Sequence, residues 1–317
     1  MLSRIAESLF WIGRYTERAE DTARILDVHF HLLLEDPWVD EQAACAGLLE
    51  IMGVPRPGDT DAHADVTADL DASHVSRLIA FDLDNPSSIV GSLTAARENA
   101  RGAREAISSE MWECLNATYN ELPNQVAQAE AFGPSGFFRY VKQRAAIMAG
   151  LADATLSRDD GWRFFVLGRS LERVDMTCRL LSARFGEGAG SPGWVTLLRS
   201  CSAHEAYLRT YRRAVDASLV AEFLLLDRLF PRSVYFALAL AERCLAELAP
   251  PAGRAGVDDE ARRILGRART DLEYRRVDEL LRDLPTHLST LEDACSDAST
   301  AIAGRYFRQA APVGWTA

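Results

Sequence analysis

One sentence of this chain is spelled twice. Gly13-Arg14-Tyr15-Thr16-Glu17-Arg18-Ala19-Glu20-Asp21-Thr22-Ala23-Arg24-Ile25-Leu26 returns as Gly168-Arg169-Ser170-Leu171-Glu172-Arg173-Val174-Asp175-Met176-Thr177-Cys178-Arg179-Leu180-Leu181, offset by 155 residues. Helical neighbours lie three and four residues apart, so Arg14, Glu17, Arg18 and Asp21 share one side of a helix, and Arg169, Glu172 and Arg173 repeat that side. Opposite each charged stripe runs an apolar arc: Trp11, Ile12, Tyr15, Ala19, Ala23 and Leu26 in the first copy, Leu167, Leu171, Val174, Cys178 and Leu181 in the second.

A second echo sets the phase. Asp82-Leu83-Asp84-Asn85-Pro86-Ser87-Ser88-Ile89 matches Asp227-Arg228-Leu229-Phe230-Pro231-Arg232-Ser233-Val234 at an offset of 145, so the second copy is ten residues shorter between its landmarks. The difference falls between Pro37 and His74, where Pro55, Pro57, Gly58 and the acidic stretch Asp59 to Asp71 read as loop. The expectation is a chain of two fused helical repeats, 1–157 and 158–317, related by a pseudo-twofold axis.

Helical periodicity dominates, and strand-like alternation is almost absent, so the predicted fold is all-α, a bundle of about ten to twelve helices. The helix candidates are Ser3 to Leu34, Asp40 to Met52, Ala72 to Asp82, Pro86 to Asn116, Asn120 to Ala131, Gly136 to Leu156, Gly161 to Phe185, Gly193 to Ala214, Ala217 to Asp227, Pro231 to Leu248, Asp258 to Leu284 and Pro285 to Phe307. Pro86 and Pro231 are expected in the first turn of equivalent helices. Gly13 and Gly168 stand inside helices, where glycine costs about 1 kcal/mol against alanine, so close approach of another backbone is the expected compensation. The run from Gly186 to Gly193 reads as linker, because it lacks the Lys-Ser/Thr ending of a phosphate loop and follows a helix.

With 48% apolar and 26% charged residues, the 317-residue chain has the composition of a soluble globular protein. Its net charge of −11 argues against a general nucleic-acid binder, which needs a basic surface. The start lacks a secretory pattern and no apolar run suffices to span a bilayer, which points to a cytoplasmic, membrane-free protein. Cys45, Cys114, Cys178, Cys201, Cys244 and Cys295 are scattered without a Cys-x-x-Cys pair and read as buried reduced thiols.

Catalytic signatures fail on spacing. His29 and His31 fall on different sides of a helix, His204-Glu205 has no second histidine four residues on, and the nearest acid-x-x-His, Asp71 to His74, has no twin, so no metal or cofactor is expected. Gly133-Pro134-Ser135-Gly136 reads as a turn rather than a nucleophile elbow. Tyr207, Arg209, Tyr211 and Arg212 read as a packing helix.

The remaining chemistry is anion recognition. Arg97, Arg101, Arg104, Glu105 and Ser108 fall on one face of the helix predicted from Pro86, with Glu98 and Asn99 beside it. The second copy does not repeat this face: Arg97, Asn99 and Arg101 stand opposite Glu242, Cys244 and Ala246. Guanidinium groups take carboxylates and phosphates in a two-pronged way, and a neighbouring glutamate holds the prongs in place. The expected site is therefore a cleft between the repeats lined by Arg14, Glu17, Arg18, Arg97, Asn99, Arg101, Arg104, Glu105, Arg169, Glu172 and Arg173. The competing reading makes the stripes ordinary interhelical ion pairs.

The opening Ser8-Leu9-Phe10-Trp11-Ile12-Gly13-Arg14-Tyr15-Thr16-Glu17-Arg18-Ala19-Glu20, with Val220-Ala221-Glu222-Phe223-Leu224-Leu225-Leu226-Asp227 and Phe230-Pro231-Arg232-Ser233-Val234, closely resembles the bacterial alpha-E domain family, from Met1 to about Arg308. The resemblance implies an all-helical protein that accompanies circularly permuted ATP-grasp ligases and transglutaminase-like peptidases. It implies a role in peptide or amide ligation, with such a ligase, and a peptidase, as partners. It assigns no catalytic residue. The expected function is binding and presentation of an anionic amino-acid, peptide or phosphorylated intermediate by the Arg/Glu cleft, with Glu17 or Glu105 as a conceivable general base. The alternative is a non-catalytic scaffold for the ligase. Such a chain can be a monomer or a homo-oligomer.

Overall fold

The computed structural model describes residues 1–55, 70–186, 191–250 and 253–307. Among them the chain is all helix without a strand: α1 Ser3–Glu35, α2 Glu41–Met52, α3 Ala72–Ser76, α4 Ile89–Gly102, α5 Ser109–Phe132, α6 Ser135–Thr155, α7 Asp160–Gly186, α8 Ser191–Ser200, α9 His204–Tyr211, α10 Ala217–Leu226, α11 Val234–Leu248, α12 Glu260–Tyr274, α13 Val277–Arg282 and α14 Leu284–Tyr306. None is long and apolar enough to cross a membrane. Half of the predicted linker, at 187–190, and most of the Asp59 to Asp71 stretch lie outside the described residues.

The two copies of the repeated sentence are the centres of α1 and α7, and these two helices pack on each other along the middle of the molecule. Each has its own set of partners. α1 packs on α4 and α6, and α5 closes that ring by touching α4 and α6; α7 packs on α11 and α14, and α12 closes the second ring. α2 leans on α7, and α8 on α1. Because α1 is enclosed from two directions, polar residues on the side away from its apolar arc are buried as well, including Glu17, Glu20 and Asp21.

The turns before α4 and α11 are built alike. Ser88 and Ser233 cap their helices by accepting the N–H of Gly91 and Phe236, and their hydroxyls reach back to the carbonyls of Asp82 and Asp227, each 2.5 Å away. Pro86 and Pro231 therefore lie two residues ahead of the caps, not inside the first turn as expected. A serine side chain can satisfy an exposed helical N–H, which a proline ring cannot, and this decides where the helix begins.

Three predicted helices are broken in the structure. The one expected from Pro86 to Asn116 ends at Gly102, passes through a 3-10 turn at Arg104–Ala106, and restarts at Ser109 under the Ser108 cap. The segment Gly193 to Ala214 breaks at Ser202, which takes a left-handed φ of 50°. Asp258 to Leu284 breaks where Arg275 becomes extended. Conversely, the two predictions on either side of Asn116 fuse into α5, which carries Pro123 internally. The number of helices is accordingly fourteen among the described residues rather than ten to twelve.

Gly133, at a φ of 91°, turns the chain from α5 into α6, as the Gly-Pro-Ser-Gly motif suggests. The six cysteines are all buried and unbridged. Tyr207 is fully buried and its ring packs against Tyr211 and Phe223.

Candidate functional site: the charged crossing of α1 and α7

The crossing is made possible by two glycines. A Cβ on Gly13 would lie 2.1 Å from the Phe165 carbonyl oxygen, and a Cβ on Gly168 would lie 2.1 Å from that of Phe10. Any side chain would hold the backbones apart, so glycine is required by contact and not by conformation. These contacts correspond at the same 155-residue offset as the sequence copies.

Close approach brings the two charged stripes face to face. Glu172 accepts two hydrogen bonds from Arg18, at 2.5 Å from Nε and 3.1 Å from Nη2, while Glu17 accepts two from Arg173, at 2.6 and 2.8 Å. Each glutamate on one helix is gripped by the second arginine of the Glu-Arg pair on the other, in the fork geometry that suits a carboxylate. Glu17 and Glu172 are 2% and 1% exposed, so neither can borrow its hydration from solvent.

A further arginine then reaches each glutamate, and here the two sides diverge. Arg14 lies 2.5 Å from Glu172 and donates to Ser299 on α14 at 3.1 Å. Its sequence mate Arg169 has no hydrogen bond or ion pair among the described residues; its guanidinium sits over the Phe165 ring at 5.6 Å. Glu17 instead receives Arg232, 3.1 Å away, which also bridges Glu20 at 2.7 Å and Asp21. Arg232 comes from the turn before α11 and stands where the first copy has Ser87; Arg18 reaches that Ser87 hydroxyl at 3.4 Å. Arg173 likewise donates to the Pro231 carbonyl at 3.1 Å.

The charges tune one another. Burial pushes the Glu17 carboxyl up, but the guanidiniums of Arg173 and Arg232 outweigh it and hold it down at about 2. Glu172 is opposed by burial in the same way and is held low by Arg14 and Arg18. Asp21 goes the other way: burial, with Glu17 and Glu20 nearby, raises it to about 7 despite Arg232. Burial and the adjacent Arg173 lower Arg169.

The α4 residues form a separate group. Arg97 donates to Asn116 at 3.2 Å, pairs with Glu98, and lies over Trp112 and Tyr119, at 5.3 and 5.0 Å. Arg104 also lies over Trp112, at 4.6 Å, and Arg101 pairs with Glu98 at 2.9 Å. Asn99 turns back to the Ala95 carbonyl at 2.9 Å, and Glu105 is exposed in the 3-10 turn. The helix break at Ala103 thus removes the single face that Arg97, Arg101, Arg104, Glu105 and Ser108 were expected to share. Among the described residues no hydrogen bond, ion pair or ring contact joins this group to the crossing. The structure therefore divides the expected site in two.

Sequence reading missed Arg232, the most connected cation of the crossing, and left Glu20 outside the site. The available signal was the departure at one position of an otherwise repeated turn, serine in the first copy and arginine in the second.

No solved structure matches this chain. A family model described as a predicted alpha-helical domain with a conserved ER motif, Alpha-E, matches residues 1–307. An uncharacterized protein of Mycobacterium bovis and two of Mycobacterium tuberculosis strains are each 26% identical to it over 324 residues, which cover 94% of this chain and 36% of the relative. The chain thus spans about a third of the length of these relatives. With a Glu-Arg pair at the heart of each central helix, Glu17-Arg18 and Glu172-Arg173, and a match over nearly its whole length, the chain belongs to the alpha-E family.

Proposed function

We propose that this chain is a non-catalytic helical scaffold of a bacterial, cytoplasmic, ATP-grasp-linked peptide or amide ligation system, built from two fused repeats, 1–157 and 158–317, and that its Glu-Arg pairs are an internal brace. One observation carries this reading: both prongs of the Arg18 and Arg173 forks are closed on a glutamate of the opposite helix, and Arg14 is held by Glu172 and Ser299. An oxyanion ligand at the crossing would have to displace buried carboxylates already better placed than any solute. Glu17, the conceivable general base, is closed on Arg173 and Arg232, which supports bracing over catalysis at the crossing.

The test is reconstitution. The chain is mixed with the ATP-grasp ligase of its own bacterium, and complex formation and ligation rate are followed. A stoichiometric complex, unaffected by carboxylate or phosphate solutes, is expected; turnover of an amide substrate by the isolated chain would overturn the reading.

The second group supports an anionic partner surface within the same reading. Arg97 and Arg101 share one carboxylate, Glu98, and Arg97 and Arg104 lie on the half-buried shelf of Trp112 and Tyr119. Cations held over aromatic rings keep their charge available to a further anion. Arg101→Glu with Arg104→Glu is expected to weaken the ligase complex without changing helicity; an undiminished complex would remove this surface from the proposal.

A further inference from the structure

A groove of about 880 Å³ runs along α12, far in sequence from the repeated stripes. Its wall is the helix face bearing Arg262, Arg263, Gly266, Arg267, Thr270 and Tyr274, closed by Glu242 of α11 and Glu279 of α13. The helix is firmly seated: Asp259, 2% exposed, caps it through the Arg262 N–H at 2.8 Å and accepts the Tyr306 hydroxyl at 2.6 Å.

The charges of this groove do not balance locally. Glu242 is engaged by Arg269 at 2.5 Å, Asp271 by Arg275 at 2.5 Å, and Glu260 by Arg263 at 2.9 Å. Among the described residues the Arg262 and Arg267 side chains have no ion pair and no hydrogen-bond acceptor, Glu279 accepts the Arg276 N–H instead, and the Arg262 Nε is buried without a partner. A guanidinium removed from water without an acceptor is destabilised, and an incoming oxyanion relieves that cost. Gly266 keeps the floor open between the two arginines, since a Cβ there would already stand 3.3 Å from Glu242. At the end of the groove the Tyr274 ring is 82% exposed and offers a flat apolar face.

We propose that the α12 groove is a binding site for an oxyanion-bearing small molecule, with Arg262 and Arg267 as the gripping residues. The site lies apart from the crossing and from the Trp112 shelf, and it goes beyond the scaffold reading. Two sources share this chemistry, a phosphate group and a carboxylate such as a peptide C-terminus.

Calorimetric titration of the full chain with pyrophosphate and, separately, with a blocked dipeptide bearing a free C-terminal carboxylate distinguishes them. Binding of at least one probe is expected, weakened by salt. Arg262→Gln with Arg267→Gln should weaken it roughly hundredfold, the loss of about two charge-assisted hydrogen bonds. Arg267→Gln alone, at an exposed position, keeps the test valid if the double variant melts early, and should itself weaken binding. Arg101→Glu with Arg104→Glu should leave this binding intact, which separates its failure from that of the scaffold reading. Heat from neither probe, or equal affinity in the arginine variants, would overturn the site.

Discussion

Gly13 lies flush against the backbone of Phe165: a methyl group added there would come within 2.1 Å of the Phe165 carbonyl oxygen. The obstacle is backbone in the middle of a buried helix, which has no rotamer to change. Gly13→Ala and Gly168→Ala are each expected to destabilise the fold by about 1–3 kcal/mol by forcing the helices apart. Gly150→Ala, in an open stretch of α6, should instead stabilise by up to about 1 kcal/mol through helix propensity. Urea melts of the three variants check this, and an unchanged midpoint for Gly13→Ala would contradict the tight crossing.

Glu172 is buried and neutralises two half-buried arginines, so its loss leaves both without a counter-charge. Glu172→Gln is expected to cost about 3–5 kcal/mol, the usual penalty for stranding buried charge. If thermal denaturation showed Glu172→Gln within a degree of wild type, the brace would not be structural.

Arg14 and Arg169 occupy matched positions with unmatched partners, and this gives a paired prediction. Arg14→Met removes an ion pair and the Ser299 hydrogen bond and should destabilise by about 1.5–3 kcal/mol. Arg169→Met removes a desolvated cation beside Arg173 that has no acceptor among the described residues, and should be neutral or stabilising. Equal losses in chemical denaturation would mean that Arg169 has an acceptor after all.

The crossing predicts opposed pH limbs. Glu17 titrates at about 2 when folded against an ordinary 4.5, so its contribution is complete above 4.5 and is lost as pH falls through 2. Asp21 is raised from 3.8 to about 7, so the folded chain keeps a proton that the unfolded chain has released, and stability falls as pH rises across that window. Asp21→Asn abolishes the second limb. Between pH 5 and pH 8 the wild type should lose more unfolding free energy than Asp21→Asn; parallel curves would refute the assignment.

Ser88 and Ser233 cap α4 and α11 with matching bonds, so Ser88→Ala and Ser233→Ala should each cost about 1 kcal/mol. Helical content and melting temperature provide the measurement, and a loss at only one of them would show that the two turns are not equivalent.

The all-helical class and the close backbone approach at Gly13 and Gly168 were legible because each rests on local periodicity or on a costly residue kept inside a helix. The starts of α4 and α11 were misplaced by three residues, since proline and serine are both initiators and only the folded turn shows which side chain meets an exposed N–H. The long face from Arg97 to Ser108 was an artefact of extrapolating helical spacing through Ala103.

What the chain alone determined was which residues share a helix side, because that follows from rise and rotation along a single element. Which arginine meets which glutamate was decided by tertiary structure. Arg18 and Glu172 are 154 residues apart, and Arg232 enters from a turn with no helical register to the stripe. Once two glycines let α1 and α7 touch, burial made Glu17 and Glu172 demand cations, and proximity in space, not position in the repeat, chose Arg232 over Arg169.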